Sequence, residues 1–459
     1  MCNKSVTRLL ILLAGLFFTT YGKAQIKINS ITIDGNTKTK SYVILRELPY
    51  QIGEVLTKDS LASLNKSAEA QLLNLSLFVE IKLTPEFIDS TTVDIHIRVK
   101  ERWYFFPIPI LKLVDRNFNQ WWVQQQHDLD RVNYGVNFRQ GNTTGNNDKF
   151  VLSIISGYSN QLAARYQLPF IDKKLRFGMG IGIQSYSQKE LNSMTINDKQ
   201  VFFRNNEVNR KGFRANYSVT YRPHLFEKQI FQIGLGKEQI ADSVLLMVPN
   251  FLPNHKASMD YVDFSYLYSY VRFNYNAYPT QGNSNEFSMT QRFSSNSNYT
   301  SLQFRKIKAH SFSTKNFLFL ESNTIVKFLP NINYSDQKIF GYGNLQMSGL
   351  EYYVVEGNAA TVFKSSFHHL LGSYSFNNYF NFKIFPQQIK YLFWVKAFTQ
   401  LGYVYTERPS NVNKLNNTLL RTAGIGVDII GIYDFVLKLD YSVNQLGDKG
   451  LYLRGGINF

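Results

Sequence analysis

The chain has 459 residues, a formal net charge of +17, and 44% hydrophobic residues, among them 37 Phe and 29 Tyr. Beyond the N-terminal segment, no stretch supplies the roughly eighteen consecutive apolar residues of a membrane-spanning helix, so helical insertion is excluded and insertion by strands is not. The only cysteine, Cys2, lies in that first segment, which excludes disulfides and thiol chemistry from the rest.

Lys4 and Arg8 precede an apolar run from Leu9 to Phe18, and Gly22-Lys23-Ala24 offers small residues for cleavage before Gln25. Residues 1–24 therefore read as a secretory signal peptide. That segment holds three basic residues, and residues 25–102 hold ten basic and ten acidic ones, which leaves +14 on residues 103–459. In an exported chain such charge points to anionic lipid head groups or a hydrated lumen, not to nucleic acid.

Residues 25–102 read as a small α+β unit. Ile26, Ile28, Ile31 and Ile33 form a strand with one irregularity, and Asp34-Gly35-Asn36 turns the chain. A short helix covers residues 41–48. A second follows Thr57 and places Leu61, Leu64, Ala68, Leu72 and Leu75 on one stripe. Val79, Ile81 and Leu83, then Val93, Ile95, Ile97 and Val99, alternate with polar residues as two strands. The expected order is β-α-α-β-β.

From Trp103 to Phe459 the texture becomes strands of about ten residues separated by turns and polar loops. Sixteen strands are expected, beginning near residues 104, 131, 148, 161, 175, 211, 228, 260, 284, 299, 316, 360, 390, 418, 433 and 450. Leu175, Phe177, Met179, Ile181 and Ile183 alternate with Arg176, Gly178, Gly180, Gly182 and Gln184; Phe435, Leu437, Leu439 and Tyr441 alternate with Lys438, Asp440 and Ser442. In the last ten residues Leu451, Leu453, Gly455, Ile457 and Phe459 share one face, opposite Tyr452, Arg454, Gly456 and Asn458. One lipid-facing row opposite a wet row implies a closed ring of strands, because no backbone group can stay unpaired in hydrocarbon. The long connections, 188–208, 239–258 and 329–359, all fall at one end of such a ring; residues 371–389 break the pattern at the other, either because the strand boundaries slip there or because that turn is elaborated.

On these residues the chain resembles the BamA and TamA outer-membrane assembly superfamily. The run SITIDGN, then TK, ILREL, Gly53 and NLSLF, is similar to a POTRA domain, and Pro279 with Gly282 resembles the family's mid-barrel turn. The resemblance implies a sixteen-stranded antiparallel transmembrane β-barrel (103–459) in the bacterial outer membrane, preceded by one periplasmic POTRA domain (25–102) of α+β fold. It implies an assembly or translocation factor that receives unfolded outer-membrane clients by strand addition, works as a monomer in outer-membrane lipid, and meets periplasmic accessory proteins.

The resemblance also implies a loop whose Arg-Gly-aromatic tip enters the lumen and meets an acidic residue on strand thirteen. Here Ser348, Gly349, Leu350 and Tyr352 stand at the tip and Gln400 at the acidic position, so both charges are absent together. Insertion by neutral hydrogen bonds, with packing of Leu350, Tyr352 and Tyr353, is one expectation; a relaxed loop is the other. Pro107 and Pro109 are two residues apart, so their missing donors share one strand edge. Facing Gly455, Gly456 and Phe459 of the last strand, that edge would make a poorly bonded seam; alternatively the prolines lie in the linker or face strand two.

Other patterns carry no chemistry. Gly178-x-Gly180-x-Gly182 keeps strand spacing, Gly234-x-Gly236-Lys237 lacks the rest of a phosphate loop, and His368 and His369 point to opposite faces. No catalytic motif, metal ligand set or cofactor site is expected. The alternative functions are a passive anion-preferring channel and a structural surface barrel.

Overall fold

The computed structural model describes residues 25–113, 121–122, 126–205, 207–249, 251–252, 255–295, 298–330, 333–378 and 387–457. Residues 1–24, read above as a signal peptide, and the terminal Phe459 lie outside them.

The N-terminal unit comprises β1 (Gln25–Asp34), α1 (Ser41–Leu45), β2 (Val55–Thr57), α2 (Lys58–Asn74), β3 (Phe78–Phe87) and β4 (Thr92–Glu101). Its sheet runs β2-β1-β4-β3, and the register slips between Ile28 and Ser30, where the apolar pattern shifts by one. The short β2 is an addition to the expected order. Three residues are too few to show alternation, and pairing with β1 defines the strand. Thr57 caps α2 by accepting from the Ser60 N–H at 3.2 Å, and Leu61, Ala68 and Leu72 are buried against Ile26, Ile28, Val93, Ile95 and Ile97.

The remaining chain forms a sixteen-stranded antiparallel sheet. Its strands are β5 (Phe105–Leu113), β6 (Val132–Gly141), β7 (Lys149–Gly157), β8 (Ser159–Leu168), β9 (Phe177–Gln188), β12 (Arg210–Tyr221), β13 (Glu227–Ile240) and β14 (Ser258–Phe273). The second half contains β15 (Gly282–Ser294), β16 (Tyr299–Ser311), β17 (Asn316–Phe328), β20 (Ala359–Asn377), β21 (Gln388–Tyr405), β22 (Leu419–Ile430), β23 (Phe435–Asn444) and β24 (Lys449–Ile457). Each starts within two residues of its expected position. The sheet curls until β5 comes beside the last strands: Phe106 of β5 packs on Tyr433, in the turn before β23, with ring centroids 5.6 Å apart. Outward positions such as Ile181, Ile233, Leu451 and Leu453 are exposed apolar side chains, as a lipid-facing wall requires.

At residues 371–389 it is the strand boundaries that slip. The register runs from Ala359↔Tyr405 to Asn377↔Gln388 through an irregularity between Leu370 and Gly372, so 371–377 and 388–389 are strand, not connection. The irregularity disrupts the two-residue period that would have revealed it. Leu175 is likewise in a turn, with φ 54°, and β9 begins at Phe177.

We call the barrel end beside the N-terminal unit the near mouth and the other the far mouth. The far mouth carries the long connections, which hold the hairpin β10 (Glu190–Ile196) and β11 (Lys199–Arg204), α3 (Asp242–Met247), α4 (Tyr334–Gln337) and the pair β18 (Lys338–Phe340) and β19 (Val355–Glu356). The β10–β11 tip crosses to the loop after β21. There the buried Asp198 carboxylate accepts from the N–H groups of Lys414 and Leu415, and Asn197 N–H donates to Val412 at 3.1 Å.

Candidate functional site

Between β18 and β19 the chain descends into the lumen. Leu345, Met347 and Leu350 are buried against Val362, Val404 and Leu420 of the barrel wall. This packing places Ser348, 2% exposed, beside Gln400 of β21. The Ser348 N–H donates to Gln400 Oε1 at 3.0 Å, and Gln400 Nε2 donates to Ser348 Oγ at 3.1 Å. Gly349 has φ 85°, and a Cβ there would lie 3.0 Å from Ser442 Oγ, so the turn needs glycine on both counts. Its carbonyl accepts from Asn444 Nδ2 at 2.7 Å. Tyr353 donates to Asp448 at 2.5 Å, while Tyr352 is half-buried.

The tip is not held by neutral groups alone. Arg454 of β24 donates to Ser348 Oγ at 2.5 Å and also to Asp440 of β23. Asp440 pairs with Lys396 at 2.8 Å, and Lys396 with Asp428 at 2.7 Å. Asp428 accepts from the Tyr278 hydroxyl at 2.9 Å, which also bonds His368 Nδ1 at 2.8 Å. Tyr278 belongs to the near-mouth turn before Gly282, whose φ of 120° sharpens it, and the turn drives the ring among Phe317, Trp394 and His368. One polar chain thus links the near-mouth turn, five strands and the loop tip. The sequence placed Arg454, Lys438 and Asp440 on the wet face, but alternation names a face and not a partner; nothing marked Tyr278. His369 faces away from His368 and bonds Asn316. Among the described residues no group of three or more His, Cys, Asp or Glu could hold a metal ion.

The orientation of the prolines follows from two flanking bonds. Gly141 N–H donates to the Tyr104 carbonyl at 2.8 Å, and Asn142 N–H to the Asp148 carbonyl at 2.6 Å. With Phe105 opposite Gln140, even-numbered residues of β5 therefore bond β6, while 105, 107, 109 and 111 turn their backbone polar groups to the other side. Pro107 and Pro109 thus lack donors on the edge away from β6. At the other end of the sheet, Gly455 and Gly456 of β24 pair with Leu437 and Val436 of β23, and among the described residues no pairing joins β5 to β24.

The N-terminal unit is docked on the near mouth. Arg222 donates to both oxygens of the buried Glu47, at 2.6 and 2.8 Å, and Arg46 Nε donates to the Leu175 carbonyl at 2.6 Å. Across the opening, Arg102 pairs with Asp434 at 3.0 Å, and Asp434 also accepts from Ser76 and Tyr275. Asn74 bonds the Phe273 carbonyl and the Asn276 N–H. Several near-mouth turns therefore hold the unit.

The family model described as "POTRA: Surface antigen variable number repeat" matches residues 26–102. Among solved structures, BamA from Haemophilus ducreyi lacking POTRA domains 1–3 is similar at 14% identity and TM-score 0.51, covering 94% of this chain and 84% of that one. CdiB from Escherichia coli is similar at 9% identity and TM-score 0.54, with 94% and 75% covered. No curated protein matches the sequence.

Proposed function

We propose that this chain, a single POTRA domain joined to a BamA-like sixteen-stranded barrel, inserts or translocates other proteins at the bacterial outer membrane. In this reading the POTRA domain lies in the periplasm and the far mouth faces outward. The observation that carries it is the donor-poor edge of β5, with Pro107 and Pro109 turned toward the side where β24 must close the ring. A seam short of two donors opens at lower cost than one with its full set. A client strand can then add to β24 and be released as the client closes on itself, with client folding supplying the energy.

The POTRA sheet offers a second edge. At its β2 side the edge is three residues long, whereas β3 runs ten residues and ends with exposed Phe87 and Ile88. An unfolded client would add there by main-chain pairing with little sequence demand. The inserted loop tip and the docked near mouth favour this reading over a passive anion channel, since an open pore needs neither.

The test is folding of an unfolded outer-membrane client into liposomes that contain the protein, scored by protease protection. We expect acceleration over empty liposomes that is lost when residues 25–102 are removed. No acceleration across several clients would overturn the reading and leave a channel or a structural barrel.

A further inference from the structure

The lumen is electrostatically divided. In the half built by β15 to β24 the cations face acids: Arg305 pairs with Glu321 at 2.8 Å, Lys364 with Glu321 at 3.9 Å, Lys396 with Asp428 and Asp440, and Arg454 with Asp440. The other half holds a chamber of about 640 Å³ between the POTRA domain and the wall formed by β6 to β14. Arg102, Arg139, Lys149, Arg165 and Arg214 line it, and among the described residues Asp263 is the only acid that does so. Arg102 is already matched by Asp434, and Asp263 is engaged by Arg292 through two bonds of 2.7 and 2.8 Å. Among the described residues, Lys149, Arg165 and Arg214 form no ion pair.

The register brings these cations together. Arg139, Val151, Arg165, Gly182, Asn216 and Gly234 lie on one transverse row across β6, β7, β8, β9, β12 and β13. Lys149 stands two residues to one side of that row and Arg214 two residues to the other. With strands about 4.8 Å apart and two residues spanning about 7 Å, the four backbone sites fall within reach of one group held by extended Arg and Lys side chains. The floor of the row is glycine: a Cβ at Gly182 would come within 2.9 Å of the Asn216 side chain. Arg214 lies 5.8 Å from the Tyr186 ring and 6.0 Å from that of Tyr261, so its fork is supported by aromatic rings while its side chain stays exposed to the lumen.

Like charges so gathered repel one another, and Lys149, Arg165 and Arg214, which no acid among the described residues matches, gain from an anion that joins them. The cluster is compact in the strand direction, unlike a track for a chain threaded along the barrel. Guanidinium forks match phosphate oxygens in bidentate geometry. We propose that this chamber is a binding site for a compact phosphate-bearing anion, held by Arg139, Lys149, Arg165 and Arg214. It is independent of the seam and does not rest on the assembly reading.

The test uses the full chain in nanodiscs. Pyrophosphate is titrated calorimetrically at fixed sodium chloride concentration, with water-soluble short-chain phosphatidic acid in a second arm. Saturable binding of pyrophosphate, weakened at least about tenfold in the Arg165→Gln, Arg214→Gln double variant, is the expected result. Binding of phosphatidic acid alone, with the same dependence on both arginines, would support the site and make its phosphate lipid-borne. Retained heat-modifiable gel migration certifies that the variant is folded, and single Arg165→Gln serves if the double variant is not. No saturable binding in either arm, or affinity indifferent to these substitutions, would overturn the proposal.

Discussion

Placing an arginine at the loop tip is the most discriminating perturbation. Ser348 is enclosed between Gln400 Nε2 at 3.1 Å and Arg454 at 2.5 Å. In Ser348→Arg a second guanidinium would stand roughly 4 Å from the first, and like charges at that spacing repel by about 4 kcal/mol at an effective dielectric near 20. Asp440 cannot offset this, because Lys396 and Arg454 already share it. Adding Gln400→Asp supplies a carboxylate between the two cations and should recover most of the loss. The assay is maleimide labelling of Leu350→Cys, a position 1% exposed in a chain whose only other cysteine is Cys2. Labelling should accelerate by about three orders of magnitude with Ser348→Arg, each 1.4 kcal/mol being about tenfold, and return toward its starting rate in the double change. Unchanged labelling, or a double variant that labels faster than the single one, would refute the inserted, cation-contacted tip.

Other contacts give further tests. Arg222→Met removes both hydrogen bonds to the buried Glu47 carboxylate and leaves it only Arg46 at 3.9 Å, so POTRA docking should weaken by about 2–3 kcal/mol, with most of it recovered by adding Glu47→Gln; hydrogen exchange at the Asn276 amide, bonded to Asn74 at 2.8 Å, reports the docking. Replacing Pro107 and Pro109 by alanine restores two donors at about 1 kcal/mol each, so the barrel should resist heat better while client assembly slows; the heat-modifiability midpoint and the liposome assay measure the two effects. In the far-mouth loops, Lys338 lies over the rings of Tyr334, Phe251 and Tyr342 at 4.5, 5.3 and 5.5 Å. Burial, aided by Arg210, lowers its pKa to about 7 against attraction from Glu356 and Glu238. The folded loops therefore bind fewer protons than the unfolded chain between that value and about 10.4, and their stability should rise with pH through this window. Protease nicking from pH 6 to 9 should slow accordingly, and Lys338→Met should abolish the slope.

Strand number and position were legible because each wall strand alternates an apolar face with a polar one, and that signal is local. It failed where local order breaks: at three-residue β2, at the irregularity after Leu370, and at Leu175, whose positive φ no apolar pattern announces. The candidate site was legible in part. Ser348 and Gln400 could be aligned as a substituted pair, and the structure brings them into two-way hydrogen bonding. The cation that joins them could not be read, because Arg454 lies 106 residues from Ser348, and no spacing rule relates a strand position to a loop tip. Tyr278 was hidden for the same reason, since its partners Asp428 and His368 come from strands far along the chain.

The position of Arg454 changes what the absent loop arginine means. A loop that carries its own cation could leave the lumen with that charge attached and pair elsewhere. Here the cation is fixed to β24, the strand proposed to template clients, and the loop meets it with the Ser348 hydroxyl and the nearby Glu351 carboxylate rather than with a cation of its own. Retracting the tip would leave Arg454 with Asp440, which Lys396 also holds, so β24 would lose one restraint without stranding a buried charge. The cost of loop exit is then that of a few hydrogen bonds and the packing of Met347 and Leu350, not of a broken ion pair. Loop exit and loosening of β24 are coupled through Arg454, so Arg454→Gln should weaken both loop insertion and the order of β24. An arginine borne by the loop would have tied that order to strand thirteen instead.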